Sequence, residues 1–137
     1  MKYELIFYIA KKTGYCEKRL RAVLRGIDAA VNHVVSATDP TALGEAVTHS
    51  LSLCPLVIIV GGQRSPDDDN ITVVLSRALS TSGLTLENMR RITAPSGAVG
   101  YAVRYKSQML LALPDNPDDI EAMLSGDLLR YMQEKLK

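Results

Sequence analysis

Residues 56–62 read Leu56-Val57-Ile58-Ile59-Val60-Gly61-Gly62. The run from Leu56 to Val60 has no polar alternate, so a strand built from it is apolar on both faces. Such a strand belongs in the middle of a parallel sheet, where crossover helices cover both sides. The glycine pair ends the strand, and residues 61–69 read as a polar loop that leads to a helix start.

Upstream, residues 5–10 form another continuous apolar run and read as a buried strand, ended by Lys11-Lys12-Thr13-Gly14. A helix follows with Cys16, Leu20, Val23, Leu24 and Ile27 on one stripe, and Gly26 is its expected stop. Residues 29–35 read as a weaker strand, interrupted by Asn32 and His33. Asp39-Pro40 supplies a capping carboxylate and a first-turn proline for a second helix through Leu43, Ala46, Val47, Ser50, Leu51 and Cys54.

Downstream, Asn70 is the expected cap of a third helix with Ile71, Val74, Leu75, Ala78 and Leu79 on its stripe, ended by Gly83. Residues 84–91 have no clear period and fit a single helical turn. Residues 101–105 and 108–113 read as an antiparallel hairpin around Lys106-Ser107. After the turn Pro114-Asp115-Asn116-Pro117, Asn116 caps a last helical stretch carrying Ile120, Met123, Leu124, Leu128, Leu129 and Met132, with a break at Ser125-Gly126. The order predicts an α/β fold: a three-layer α/β/α arrangement with a mostly parallel central sheet plus an antiparallel edge hairpin.

The length of 137 residues fits one domain, residues 1–137, large enough to bury a core without disulfides or metal. Sixteen Lys and Arg balance fifteen Asp and Glu, and a net charge of +1 gives no overall attraction to nucleic acid or acidic membranes. The apolar run of residues 55–60, like that of residues 5–10, is six residues long, far too short to span a bilayer. Residues 1–10 carry Lys2 and Glu4 and have no small-residue cleavage site, so no signal peptide is expected there. Cys16 and Cys54 read as buried free thiols in a reducing compartment, so the expected location is cytoplasmic.

In open α/β sheets, ligands bind beyond the carboxyl ends of the strands. By position, residues 11–15, 61–70 and 114–116 qualify. Gly61-Gly62 fits either a tight turn or a backbone cradle for phosphate at a helix start. Asp67-Asp68-Asp69 fits either acidic support for the helix N-terminus or a site for a hard cation such as Mg²⁺. The basic residues Lys11, Lys12, Lys18, Arg19, Arg21 and Arg25 fit a solvated helix face better than a phosphate site. His33 and His49 stand alone and read as structural or surface residues. No Ser-His-Asp, zinc or P-loop signature is present.

Three segments, in order, resemble the molybdopterin-binding domain family of MogA, MoaB and CinA. Gly61-Gly62-Gln63-Arg64-Ser65-Pro66-Asp67-Asp68-Asp69-Asn70-Ile71-Thr72 is similar to the family's Gly-Gly loop with Pro-Asp-Asp and a helix-opening Thr. Gly97-Ala98-Val99-Gly100-Tyr101-Ala102-Val103 resembles its small-residue stretch. Leu111-Ala112-Leu113-Pro114-Asp115-Asn116-Pro117, with Met123 beyond it, resembles its Leu-Pro-Gly-x-Pro turn and Met-bearing helix. The chain departs from the family at Lys11-Lys12-Thr13-Gly14, where a Gly-Thr or Gly-Ser with an acidic residue is usual. Val60 stands where Thr is usual, and Asp115 where glycine is usual. The segment after Gly83 is also several helical turns shorter.

The resemblance implies a phosphorylated pterin (molybdopterin) or an adenine nucleotide as ligand, with Mg²⁺. It implies adenylyl transfer to molybdopterin, as in molybdenum cofactor biosynthesis, or CinA-like pyrophosphate hydrolysis of ADP-ribose-type nucleotides. Gly61, Gly62 and Ser65 would hold phosphate, with Thr72, Pro114, Asp115 and Asn116 around the ligand. Asp67 and Asp68 would be catalytic and hold the metal. The departures suggest an alternative, a non-catalytic relative serving as an oligomeric or partner-binding module. Either way the resemblance implies a homo-oligomer. At Asp115 the sequence leaves three outcomes open: repulsion of phosphate, strain if the turn needs positive φ, or coordination of Mg²⁺.

Overall fold

The computed structural model describes residues 1–62, 73, 75–77, 89–105 and 107–136. Six strands form one sheet: β1 (Lys2–Tyr8), β2 (Ala30–Ala37), β3 (Leu56–Gly61), β4 (Met89–Thr93), β5 (Val99–Tyr105) and β6 (Gln108–Leu113). Their spatial order is β2-β1-β3-β6-β5-β4. β1 pairs in parallel with β2 and β3, and β3 in parallel with β6. β5 runs antiparallel between β6 and β4. The helices with printed bounds are α1 (Thr13–Arg25), α2 (Pro40–Leu51), α3 (Pro117–Met123) and α4 (Asp127–Lys135). Val73 and residues 75–77 are also helical. The expected capping and register of the third helix fall mostly outside the described residues.

The two-sided strand explains the layering. Leu56, Ile58 and Val60 of β3 face one cluster, with Tyr3, Leu5 and Phe7 of β1 and with Cys16, Leu20 and Leu24 of α1. Ile120 and Met123 of α3 and Met132 of α4 complete that side. Val57 and Ile59 face the other cluster, with Leu43 and Val47 of α2 and with Leu75. All five β3 side chains from Leu56 to Val60 are 0% exposed. Burying each contributes about 1.5–3 kcal/mol, which makes β3 the main anchor of the sheet. This is the α/β/α arrangement, with a mostly parallel sheet, that the alternation of elements predicts.

Both sequence-read caps are present. The Asp39 carboxylate accepts a hydrogen bond from the Ala42 amide at 2.8 Å. Asn116 Oδ1 accepts from the amides of Asp118 and Asp119 at 3.0 and 3.2 Å. The last helical stretch breaks between α3 and α4, at Leu124 to Gly126, as its Ser-Gly pair suggests.

Three expectations need correction. Residues 89–93 form strand β4, not a helical turn, and β4 extends the antiparallel part to three strands. Its sequence hides this, because an outer strand of composition Met-Arg-Arg-Ile-Thr tucks in only Met89 and Ile92. β6, read as part of an edge, lies inside the sheet between β3 and β5. β1 begins at Lys2 rather than residue 5, because Glu4 is accommodated in the sheet at 2% exposure. Glu4 Oε1 lies 3.1 Å from His33 Nδ1 and accepts from Asn32 Nδ2 at 3.2 Å, so a buried carboxylate is paired across to β2.

Among the described residues, no helix is long and apolar enough to cross a membrane.

Candidate functional site at the carboxyl end of the sheet

β1, β3 and β6 are neighbours and run the same way, so their carboxyl ends lie side by side. The segment after β1, the Gly61-Gly62 pair and the turn Pro114-Asp115-Asn116 therefore share one end of the sheet. Ser65, Asp67, Asp68 and Thr72 lie outside the described residues.

Gly61 sits at the end of β3 opposite Tyr8, with φ of 109°. A Cβ there would lie 2.2 Å from the Tyr8 carbonyl oxygen and 2.9 Å from Ala10 Cβ. The glycine is thus required by the close approach of β3 to the exit of β1. Gly62 also has positive φ, at 77°.

The segment after β1 is unusual in a different way. Ile9 and Lys12 have φ of 46° and 55°, a left-handed region uncommon outside glycine and rarest for a β-branched residue such as Ile9. This strain is held by contacts from elsewhere. The Ile9 amide donates to the Ala37 carbonyl at 3.3 Å. The Lys11 amide donates to Asp115 Oδ2 at 2.8 Å. That bond joins residues 104 apart in sequence and ties the entry to α1 to the entry to α3. A carboxylate accepting from a peptide N–H makes one of the stronger hydrogen bonds available to a protein.

Asp115 is 8% exposed, with one oxygen committed to the backbone. Positive φ outside glycine falls, among the described residues, at Ile9, Lys12 and Asp28. The strain expected if Asp115 replaced a left-handed glycine is therefore absent, and the turn accepts Asp without a backbone penalty. Pro114 is buried behind it, and Asn116 is used as the α3 cap. Sequence reasoning singled out Asp115 as a charge facing a ligand and missed that it clasps the first loop. No local pattern could reveal a partner that is a backbone amide on another loop.

Cys16 lies under this loop, fully buried. Burial pushes its thiol up to about 11, the charge of Asp115 adds to the shift, and Lys12 opposes it. It is a packed thiol and not a nucleophile. Cys54 is likewise buried, and burial is the largest cause of its raised pKa. Of the basic residues on α1, Arg19 bridges to α3 through Asp118 at 3.1 Å and Glu121 at 2.8 Å. Arg21 pairs within α1 with Glu17 at 3.6 Å. Lys11, Lys12, Lys18 and Arg25 are exposed, as a solvated face requires. Among the described residues, no three His, Cys, Asp or Glu side chains converge as a metal site.

The late segments that carry the family resemblance also have a packing role. A Cβ on Gly100 would lie 2.8 Å from the Ala112 carbonyl oxygen and 3.0 Å from Met123 Sδ. The small residue of β5 and the methionine of α3 are thus one fitted pair that sets α3 close against the sheet.

No family model and no curated protein matches the sequence. Solved structures do match in three dimensions. A CinA protein of unknown function from Thermoplasma acidophilum is 18% identical with a TM-score of 0.70, covering 99% of this chain and 98% of that one. A molybdenum cofactor biosynthesis protein B is 9% identical with a TM-score of 0.69, covering 99% and 93%. The molybdopterin biosynthesis enzyme MoaB from Thermus thermophilus is 15% identical with a TM-score of 0.63, covering 98% and 93%. The chain has the fold of the CinA, MoaB and MogA structures over nearly its whole length.

Proposed function

We propose that the carboxyl end of the sheet binds a small phosphorylated ligand, either a pterin phosphate related to molybdopterin or an adenine nucleotide. The observation that carries this reading is the adjacency of β1, β3 and β6, which brings three separately read loops to one end. The names of the similar structures, molybdenum cofactor and molybdopterin biosynthesis proteins, favour the pterin. Gly62 would offer its amide to phosphate, with Ser65 and Thr72 supplying hydroxyl donors. Asp67 and Asp68 would hold Mg²⁺, which when bound neutralises phosphate charge.

Asp115 would have a second role beside the charge that its sequence position suggests. It holds Lys11 in place, and its negative charge at the same end disfavours a bare anion and favours a cation-accompanied one. The positioned loops therefore fit a magnesium-bound phosphate better than a free one. By the family resemblance, the reaction would be adenylyl transfer or pyrophosphate hydrolysis, both of which depend on positioning and charge neutralisation.

Calorimetric titration with ATP, ADP-ribose and molybdopterin, with and without Mg²⁺, tests the proposal. Binding of one of them that strengthens with Mg²⁺ supports it. No heat with any of the three at millimolar concentration rejects it.

A second reading, assembly into a homo-oligomer, has its own support at the outer strand β2. Its sequence, Ala30-Val31-Asn32-His33-Val34-Val35-Ser36-Ala37, contains no Lys, Arg, Asp, Glu or Pro to discourage edge pairing, and Val34 and Val35 are both 39% exposed. Light scattering at micromolar concentration should give a multiple of the 15.0 kDa chain mass, and a monomer would reject this reading.

A further inference from the structure

A cavity of about 290 Å³ opens at the opposite, amino end of the sheet, between the last turns of α1 and the start of β2. Its walls include Tyr3, Arg21, Arg25, Asp28 and Val31. Tyr3 and Val31 are paired neighbours in the β1–β2 ladder, so the cavity lies where α1 stops covering the outer strand.

Its polar groups are not satisfied by one another. Tyr3 is fully buried, and its hydroxyl has no hydrogen-bond partner among the described residues. Native proteins rarely bury a hydroxyl in this state unless water, an ion or a ligand completes it. Burial raises the phenol pKa, partly offset by the Arg21 charge, so the hydroxyl keeps its proton at neutral pH. Arg25 makes no ion pair among the described residues, and Arg21 has only a 3.6 Å contact with Glu17. Asp28 is exposed at the rim and held at φ of 60°.

We infer that this cavity is a second binding site, for a small organic monocarboxylate that also carries a hydroxyl or amino donor. The carboxylate suits Arg25 and Arg21, whose planar guanidinium groups match it in shape and charge. The donor suits Asp28, and the Tyr3 hydroxyl gains the partner it lacks. The presence of Asp28 beside the arginines disfavours a phosphate dianion and an unsubstituted acid alike. The volume is at the lower limit of ligand pockets, which suits a hydroxy acid or an amino acid. The site is separate from the proposed phosphate end and does not depend on that reading.

Amide NMR titrations of the full chain with L-serine and L-lactate, against acetate and inorganic phosphate, test the inference. Serine or lactate should shift the amides of Arg25, Asp28 and Val31, with affinity roughly tenfold above that of acetate or phosphate. Arg25→Gln should weaken that binding by about tenfold. Tyr3→Phe should weaken it several-fold without lowering the melting temperature, since the hydroxyl it removes has no partner among the described residues. Equal binding of acetate or phosphate would reduce the site to a general basic patch and overturn the inference. So would the absence of shifts at these amides, or unchanged affinity in Tyr3→Phe.

Discussion

At the carboxyl end of the sheet, the buried carboxylate of Asp115 is spent on a backbone amide, Lys11 N–H, and Gly61 leaves no room for even a methyl group. At the amino end, the buried carboxylate of Glu4 is held by side chains, His33 and Asn32, and the Tyr3 hydroxyl has no hydrogen-bond partner among the described residues. The first end is built from backbone, with strained residues at Ile9 and Lys12 fixed by long-range bonds. The second is lined by side chains with hydrogen-bonding capacity left over. Loops fixed by backbone present a defined set of amides to a ligand, whereas an end lined by side chains chooses its ligand by residue identity.

The largest expected effect that breaks this contrast is at Gly61. Gly61→Ala combines a positive-φ penalty with an overlap at the Tyr8 carbonyl, and should destabilise the fold by about 3 kcal/mol or more. Urea denaturation followed by circular dichroism measures it. A loss below about 1 kcal/mol would mean that β3 and the β1 exit are not locked together.

Asp115→Ala comes next. It strands the Lys11 amide and should cost about 2 kcal/mol by the same measurement. Asp115→Asn retains an oxygen acceptor and should cost about half as much. An Asp115→Ala variant as stable as the parent would remove the backbone clasp from the account.

Cys16 gives a chemical readout of the same clasp. With its pKa at about 11 against an ordinary 9.0, its alkylation by iodoacetamide at pH 9 should be roughly fiftyfold slower than that of a free thiol. Because Asp115 contributes to the shift, Asp115→Asn should speed the reaction. The sign for stability follows from proton counting. Between about 9 and 11 the unfolded chain releases the Cys16 proton while the folded chain keeps it, so stability falls as pH rises through that window. Alkylation at the free-thiol rate would show that Cys16 is not buried under the loop.

The smallest effect is expected at Arg19, whose ion pairs with Asp118 and Glu121 are largely solvent-exposed. Arg19→Ala should cost at most about 1 kcal/mol and lose its effect in high salt. A larger cost would mean that α1 and α3 are joined by charge rather than by the core beneath them.

The sequence was most legible where one physical requirement acted alone. The unbroken apolar run at Leu56 to Val60 has no other placement than the sheet centre. Asp39-Pro40 and Asn116-Pro117 place helix starts because an unpaired helix N-terminus needs an acceptor and tolerates proline. Strand β4 was not legible, because an outer strand needs no alternation, and its two arginines read as helix as readily as strand. The β1 start was masked by Glu4, whose burial depends on partners 28 and 29 residues away. At the candidate site, three loops could be placed after strands from the sequence, but that β1, β3 and β6 are neighbours was visible only in the fold. The role of Asp115 could not be read either, since its partner is an amide 104 residues distant that any residue except proline would supply.

The central claim is that the carboxyl ends of β1, β3 and β6 form the phosphate-binding end. Amide NMR titration of the intact chain with ATP and Mg²⁺ tests it most directly. The account predicts shifts centred on Lys11, Lys12, Gly61, Gly62, Asp115 and Asn116, growing when Mg²⁺ is added. Shifts centred instead on Arg21, Arg25 and Asp28 at the other end of the sheet, or none at millimolar nucleotide, would contradict it.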